Sequence, residues 1–194
     1  AIEMATAATR AGADGLLVVS PYYNKPTQAG LLAHTRAIAD AAKLPILLYD
    51  IPGRTATPFA VDTLVELARH PQILAVKDAK GDLWASSQVM AETDLLWYSG
   101  DDVSNLIWLS LGAVGLVSVV GHVAGNEFRA MIDAVDAGDR LAADVERASG
   151  DKSLLIDAVL APRGINPLWC DAIESAGPYG AGWPAPRIVA GPVR

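Results

Sequence analysis

The sequence is poor in the residues that hold disulfides, metals and nucleic acids. It contains one cysteine, Cys170. An intrachain disulfide is therefore excluded, and the composition fits a reducing cytoplasm. Its three histidines, His34, His70 and His122, are scattered without metal-ligand spacing. Basic residues number 15 against 22 acidic ones, giving a net charge of −7 and a pI near 4.8. General nucleic-acid binding needs a basic surface, so it is disfavoured. No apolar run reaches the roughly 18 residues of a membrane span. The greasiest stretch, residues 111–125, is interrupted by glycines, Ser118 and His122. The Asp101–Asp102 pair lacks an EF-hand pattern and reads as a loop or helix-cap feature. Residues 1–15 read as an amphipathic helix, so no secretory leader is expected, and the lack of an initiator Met sets the expectation that the native start lies upstream.

What the chain does have is apolar bulk, 52% of its 194 residues. Strand-length apolar runs recur at 15–20, 44–50, 73–79, 95–100 and 115–120. They are continuous rather than alternating, which predicts parallel strands covered on both faces. Segments with helical spacing lie between them. Residues 27–43 offer Leu31, Leu32, Ile38 and Ala42 as a core face. Residues 58–70 open on Pro58, residues 101–112 offer Asp101 or Asp102 as a cap and end on Gly112, and residues 125–139 follow the last strand. The order is helix and strand in strict alternation, the repeat of either a TIM barrel or a doubly wound sheet. No glycine fingerprint follows the first strand, and polar residues mark the C-terminal ends of several strands. Both features favour the barrel, whose active sites gather at that one face. A closed barrel needs eight strands and five are legible. The expected fold is α/β, a truncated TIM (β/α)8 barrel of about five βα units plus a short C-terminal tail. Near residue 149 the texture changes to a proline-rich stretch with no further strand–helix unit. The expected division is 1–148 for the partial barrel and 149–194 for a tail of unclear or foreign origin.

The apolar run "ILAVKDAKG" ends on Lys77. A lysine just past a strand end is ordinarily a solvated surface residue. In a barrel wall, however, Lys77 shares the mouth with Tyr49, one strand away, and Tyr23, one strand further. A lysine in a partly dry pocket has a depressed pKa and offers a neutral amine. Schiff-base chemistry with a carbonyl substrate needs such an amine. A tyrosine can relay the protons of carbinolamine formation and dehydration. Arg54 suits bidentate capture of a carboxylate.

The ordered motifs "SPYYNKPTQAGL", "LLYDIPGRT", "AVKDAKGDL", "YSGDD" and "GAVGLVSV" resemble those of the dihydrodipicolinate synthase family, pyruvate-dependent class I aldolases, over residues 1–148. The arginine of "PGRT" is similar to the synthase branch rather than the sialic-acid lyase branch. The resemblance implies a cytoplasmic lyase that condenses pyruvate with aspartate semialdehyde, on the way to diaminopimelate and lysine. It implies no cofactor and no metal, because a protonated imine is the electron sink. It implies a homo-oligomer with no nucleic-acid or membrane partner. Lys77 would carry the imine and Tyr49 the proton relay. Tyr23 would complete that relay from a neighbouring subunit, and Tyr22 would pack at the interface. Arg54 would hold the second substrate's carboxylate. Gly100 and Val117 would line the pyruvate pocket. The family's Gly-Thr-Thr-Gly-Glu motif has no counterpart in this sequence, so impaired turnover is expected. A non-catalytic, self-associating barrel fragment and another pyruvate aldolase of the same family are the alternatives. Residues 154–188 weakly resemble a segment near the C-terminus of RecJ-type exonucleases, without that family's metal-binding motifs; Trp183 stands where an asparagine is common.

Overall fold

The computed structural model describes residues 1–138. The chain divides into two compact units, Ala1–Ser118 and Val119–Arg194. The first carries five parallel strands: β1 (Leu16–Val19), β2 (Ile46–Asp50), β3 (Ile73–Asp78), β4 (Leu96–Ser99) and β5 (Gly115–Leu116). Their spatial order is their sequence order. That order decides between the two architectures. A doubly wound sheet reverses direction at a switch point, whereas a barrel wall adds each strand beside the last.

The helices of this unit are α1 (Ile2–Arg10), α2 (Gln28–Ala42), the one-turn α3 (Pro52–Thr55), α4 (Val61–Leu67), α5 (Leu83–Glu92) and α6 (Asn105–Ser110). Their ends follow local chemistry. The Thr27 hydroxyl accepts the Gly30 N–H and starts α2, and Lys43 closes it in the left-handed conformation at φ 55°. The Asp82 carboxylate accepts the Ala85 N–H at the start of α5. In α2, Leu31, Thr35, Ile38, Ala39 and Ala42 form the buried stripe, with Leu32 half-buried beside it. The predicted core face of this helix is therefore the observed one.

Side chains alternate across the strands, and one face holds the core. Ile46 and Leu48 of β2, Val76 of β3 and Trp97 of β4 pack with Leu31, Leu64, Leu67, Val89 and Trp108 from the helices. Trp97 and Trp108 meet as a tilted pair, ring centroids 6.2 Å apart. The other face departs from expectation. Leu17 is 45% exposed and Leu96 37% exposed, so these strands are not covered on both sides. The helices lie on one face only. The opposite face is the one a closed barrel fills with side chains from facing strands. Leu74, also exposed, falls where the β2–β3 register slips by one residue.

Several boundaries differ from the sequence reading. β5 stops at Leu116 rather than continuing to 120, although the Val117 N–H still reaches the Ser99 carbonyl at 2.8 Å. The helix expected from 58 begins at Val61, because Ala60 before it is extended (φ −75°, ψ 157°). Pro52 nucleates the unforeseen α3, which ends on Ala56 at φ 60°. In the second unit, helix α7 (Gly121–Asp136) begins four residues before its expected start and is interrupted at Ala124, φ −127°. The boundary expected near 149 and the tail beyond it lie outside the described residues.

Candidate active site

Lys77 is the next-to-last residue of β3, and its register partners are Tyr49 on β2 and Tyr98 on β4. Alternation turns all three away from the helix-packed face, on which Asp50, Asp78 and Ser99 are buried. A row at one level thus reads Val19, Tyr49, Lys77, Tyr98 and Gly115 across five neighbouring strands. Lys77 and Tyr49 are the pair expected from the sequence; Tyr98 was not foreseen. The signal for Tyr98 was its alternation with Trp97, two residues before Gly100.

Lys77 is 8% exposed. Its Nζ stands over the Tyr49 ring, 3.9 Å from the centroid. Burial pulls the amine's pKa below the ordinary 10.5, and the carboxylate of Asp102 opposes that pull without reversing it. The ring face under the amine favours the ammonium form as well. Desolvation wins, which is the direction a nucleophilic amine requires.

Two glycines make the room. A Cβ on Gly100 would stand 2.9 Å from Cγ and 3.0 Å from Cε of Lys77, and 3.0 Å from the Asp78 carbonyl oxygen. A Cβ on Gly115 would meet the Tyr98 ring at 3.2 Å. Gly100 is also fixed by its N–H, which donates to the Asp78 carbonyl at 2.7 Å. Its role here is to admit the lysine stem. Val117, half-buried, follows β5. Asp102 opens a short 3-10 turn, where it accepts a bond from the Asn105 amide at 3.2 Å. From the sequence it is a loop or helix-cap residue, and its influence on Lys77 was not foreseen.

Two predicted residues stand apart. Tyr23 is 88% exposed in the loop after β1, with Tyr22 exposed beside it. Arg54 is exposed at the end of α3, and no carboxylate among the described residues pairs with it. The row around Lys77 does not include them. No group of His, Cys, Asp and Glu among the described residues could hold a metal ion. No helix among them is long and apolar enough to cross a membrane.

The profile of the dihydrodipicolinate synthetase family matches residues 1–161. The chain belongs to this family. The 4-hydroxy-tetrahydrodipicolinate synthase 2 of Streptomyces coelicolor is 62% identical over 138 residues, 71% of this chain and 46% of that protein. The 4-hydroxy-tetrahydrodipicolinate synthase of Kineococcus radiotolerans is 58% identical over 142 residues, 73% of this chain and 46% of that protein. Among solved structures, the chloride-inhibited dihydrodipicolinate synthase of Acinetobacter baumannii, complexed with pyruvate, is 40% identical with a TM-score of 0.70. That alignment covers 74% of this chain and 50% of that one. The chain thus spans about half the length of the curated relatives it matches. Its five parallel strands are part of a dihydrodipicolinate synthase TIM barrel.

Proposed function

We propose that this chain carries the imine-forming centre of a 4-hydroxy-tetrahydrodipicolinate synthase, a lyase that condenses pyruvate with aspartate semialdehyde. The observation that carries the reading is Lys77 itself, a lysine buried at a strand end with its amine over Tyr49 and its pKa held down by desolvation. The pyruvate bound in the A. baumannii relative supports the choice of first substrate.

The neutral Lys77 amine adds to the ketone carbon of pyruvate and gives a carbinolamine. Protonation of its hydroxyl releases water and leaves a protonated imine. Loss of a methyl proton then gives an enamine, the imine nitrogen accepting the electron pair. The enamine carbon attacks the aldehyde of the second substrate, whose oxygen takes up a proton, and the protonated imine re-forms. The amino group of that substrate then adds to the imine carbon and displaces the Lys77 amine, closing the ring and freeing the lysine. Tyr49 serves as donor and acceptor for these proton transfers, and Tyr23 of a neighbouring copy completes the relay. Arg54 holds the aldehyde substrate's carboxylate. Gly100 and Val117 border the pyruvate. No metal or cofactor is called for, since the protonated imine stores the electrons.

The test is a sequential trap. The chain is incubated with pyruvate, aspartate semialdehyde is added, and borohydride is applied at intervals. The reading predicts that trappable adduct forms with pyruvate and is drawn down when the aldehyde arrives. No adduct with pyruvate, or an adduct indifferent to the aldehyde, would count against it.

A further inference from the structure

Directly behind Tyr49 and Lys77 lies a cluster of charges that the imine chemistry does not use. Asp50 and Asp78 end β2 and β3 as register partners, and both point into the helix-packed side. Asp50 is 0% exposed and Asp78 1% exposed. The two carboxylates are bound differently. Asp78 closes its own turn: one oxygen accepts the N–H groups of Lys80 and Gly81 at 2.8 and 3.1 Å, the other the Ser86 hydroxyl at 2.6 Å. Asp50 reaches across segments. Its Oδ1 accepts the Phe59 N–H at 3.3 Å, and its Oδ2 faces the Lys80 ammonium at 3.6 Å. Lys80 Nζ also donates to the Phe59 carbonyl at 3.4 Å. The ladder continues above them, the Ala79 N–H donating to the Asp50 carbonyl at 2.9 Å.

One ammonium therefore ties together the end of β2, the segment before α4 and the turn after β3. Stability does not explain it. A buried carboxylate and its one cation cost desolvation that the ion pair does not clearly return. Burial in fact pushes the Asp50 carboxyl up to about 6 despite Lys80. What the arrangement does provide is fixed placement. The residue before Asp50 is Tyr49, and the residue before Asp78 is Lys77.

We propose that the Asp50–Lys80 ion pair is a positioning device, which clamps the ends of β2 and β3 so that the Lys77 amine is kept buried over the Tyr49 ring. The proposal rests on the reading of Lys77 as the imine-forming lysine. Asp50 and Lys80 touch no substrate in this scheme; they act through the two strand ends.

The test measures the titration of the Lys77 amine without any pyruvate. The full chain is labelled competitively with acetic anhydride over a range of pH, and the peptide containing Lys77 is compared with that of exposed Lys43. In Asp50→Ala the clamp is lost, and the Lys77 amine relaxes toward solvent. Its pKa rises, and its neutral fraction at a given pH falls about tenfold for each unit gained. Simple electrostatics predicts the opposite sign, because removing a nearby carboxylate lowers a lysine's pKa. A Lys77 labelling profile that shifts to higher pH relative to Lys43, each normalised to its own alkaline plateau, supports the proposal; an unchanged profile or a shift to lower pH overturns it. If Asp50→Ala lacks a cooperative thermal transition, Asp50→Asn decides by the same sign, with a smaller change. A chain that shows the expected shift but never traps pyruvate would retain the clamp and lose the functional reading, so the two failures are separable.

Discussion

Gly100 and Lys77 exclude one another's bulk: a β-carbon at position 100 would fall 2.9 Å from Lys77 Cγ. Atoms at that separation must move, and the Asp78 carbonyl oxygen, 3.0 Å away on the adjoining strand, is backbone held in the sheet. The lysine stem is the part able to yield. Gly100→Ala is therefore expected to push Lys77 off the Tyr49 ring. Overpacking of this kind costs about 1–3 kcal/mol. Urea unfolding should show that loss, and the rate of pyruvate trapping should fall with it. An alanine variant with unaltered stability and trapping would show that the stem has another place to go.

Tyr49 offers two separable things, a ring face beneath the amine and a phenolic hydroxyl. Tyr49→Phe keeps the ring. The titration of Lys77 is expected to stay where it is, while imine formation slows by about 10²-fold or more, the usual loss when a positioned proton donor is removed. Stopped-flow trapping at several pH values measures both quantities on one protein. A large shift in the Lys77 titration would assign the hydroxyl to holding the amine rather than to relaying protons.

The Asp50 carboxyl titrates near 6 in the folded chain, against an ordinary 3.8. The folded state thus binds more protons than the unfolded state between those values. Stability contributed by this group is present below about pH 4, falls as pH rises toward 6 and is level above. The whole change is on the order of 3 kcal/mol. Asp50→Asn should remove that component. The difference in unfolding free energy between variant and native chain should move in the variant's favour from pH 4 to 6. A difference independent of pH would mean that Asp50 stays charged throughout.

Lys77 has the corresponding cost on the basic side. Burial lowers its pKa from 10.5, so the folded chain binds fewer protons than the unfolded chain in the window below that value. Stability therefore rises with pH across the window. Lys77→Met removes the buried charge while keeping an apolar stem, and it should be more stable than the native chain at neutral pH. The gain should shrink as the pH approaches 10.5. Denaturant melts at neutral and alkaline pH check the trend. A destabilised Met variant would show that the lysine is held by interactions stronger than its burial penalty.

Much of this is legible in the sequence. Lys77 stood out because an apolar strand rarely ends in a lysine, and Tyr49 because it closes the preceding strand; their register pairing follows from the barrel order. The stripe of α2 was readable from its spacing. Other features depend on contacts that no local pattern shows. Asp50 and Lys80 are thirty residues apart, and each resembles an ordinary strand-end charge until β2 and β3 are placed side by side. The signal was alternation: if Tyr49 faces the site, Asp50 must face the core. The exposure of Leu17 and Leu96 was likewise hidden, because a continuous apolar strand reads the same whether one face or both are covered. Tyr23 and Arg54 were placed at the site by strand-end position and carboxylate chemistry as well as by motif, and in the single chain both lie in solvent.

The account stands most directly on where pyruvate binds covalently. Incubation of the chain with pyruvate and borohydride, followed by peptide mapping, should yield a single adduct with the mass of pyruvate less water plus two hydrogens. It should sit on Lys77 and be lost in Lys77→Met. An adduct of equal yield on Lys80 or Lys43, with Lys77 unmodified, would contradict the assignment.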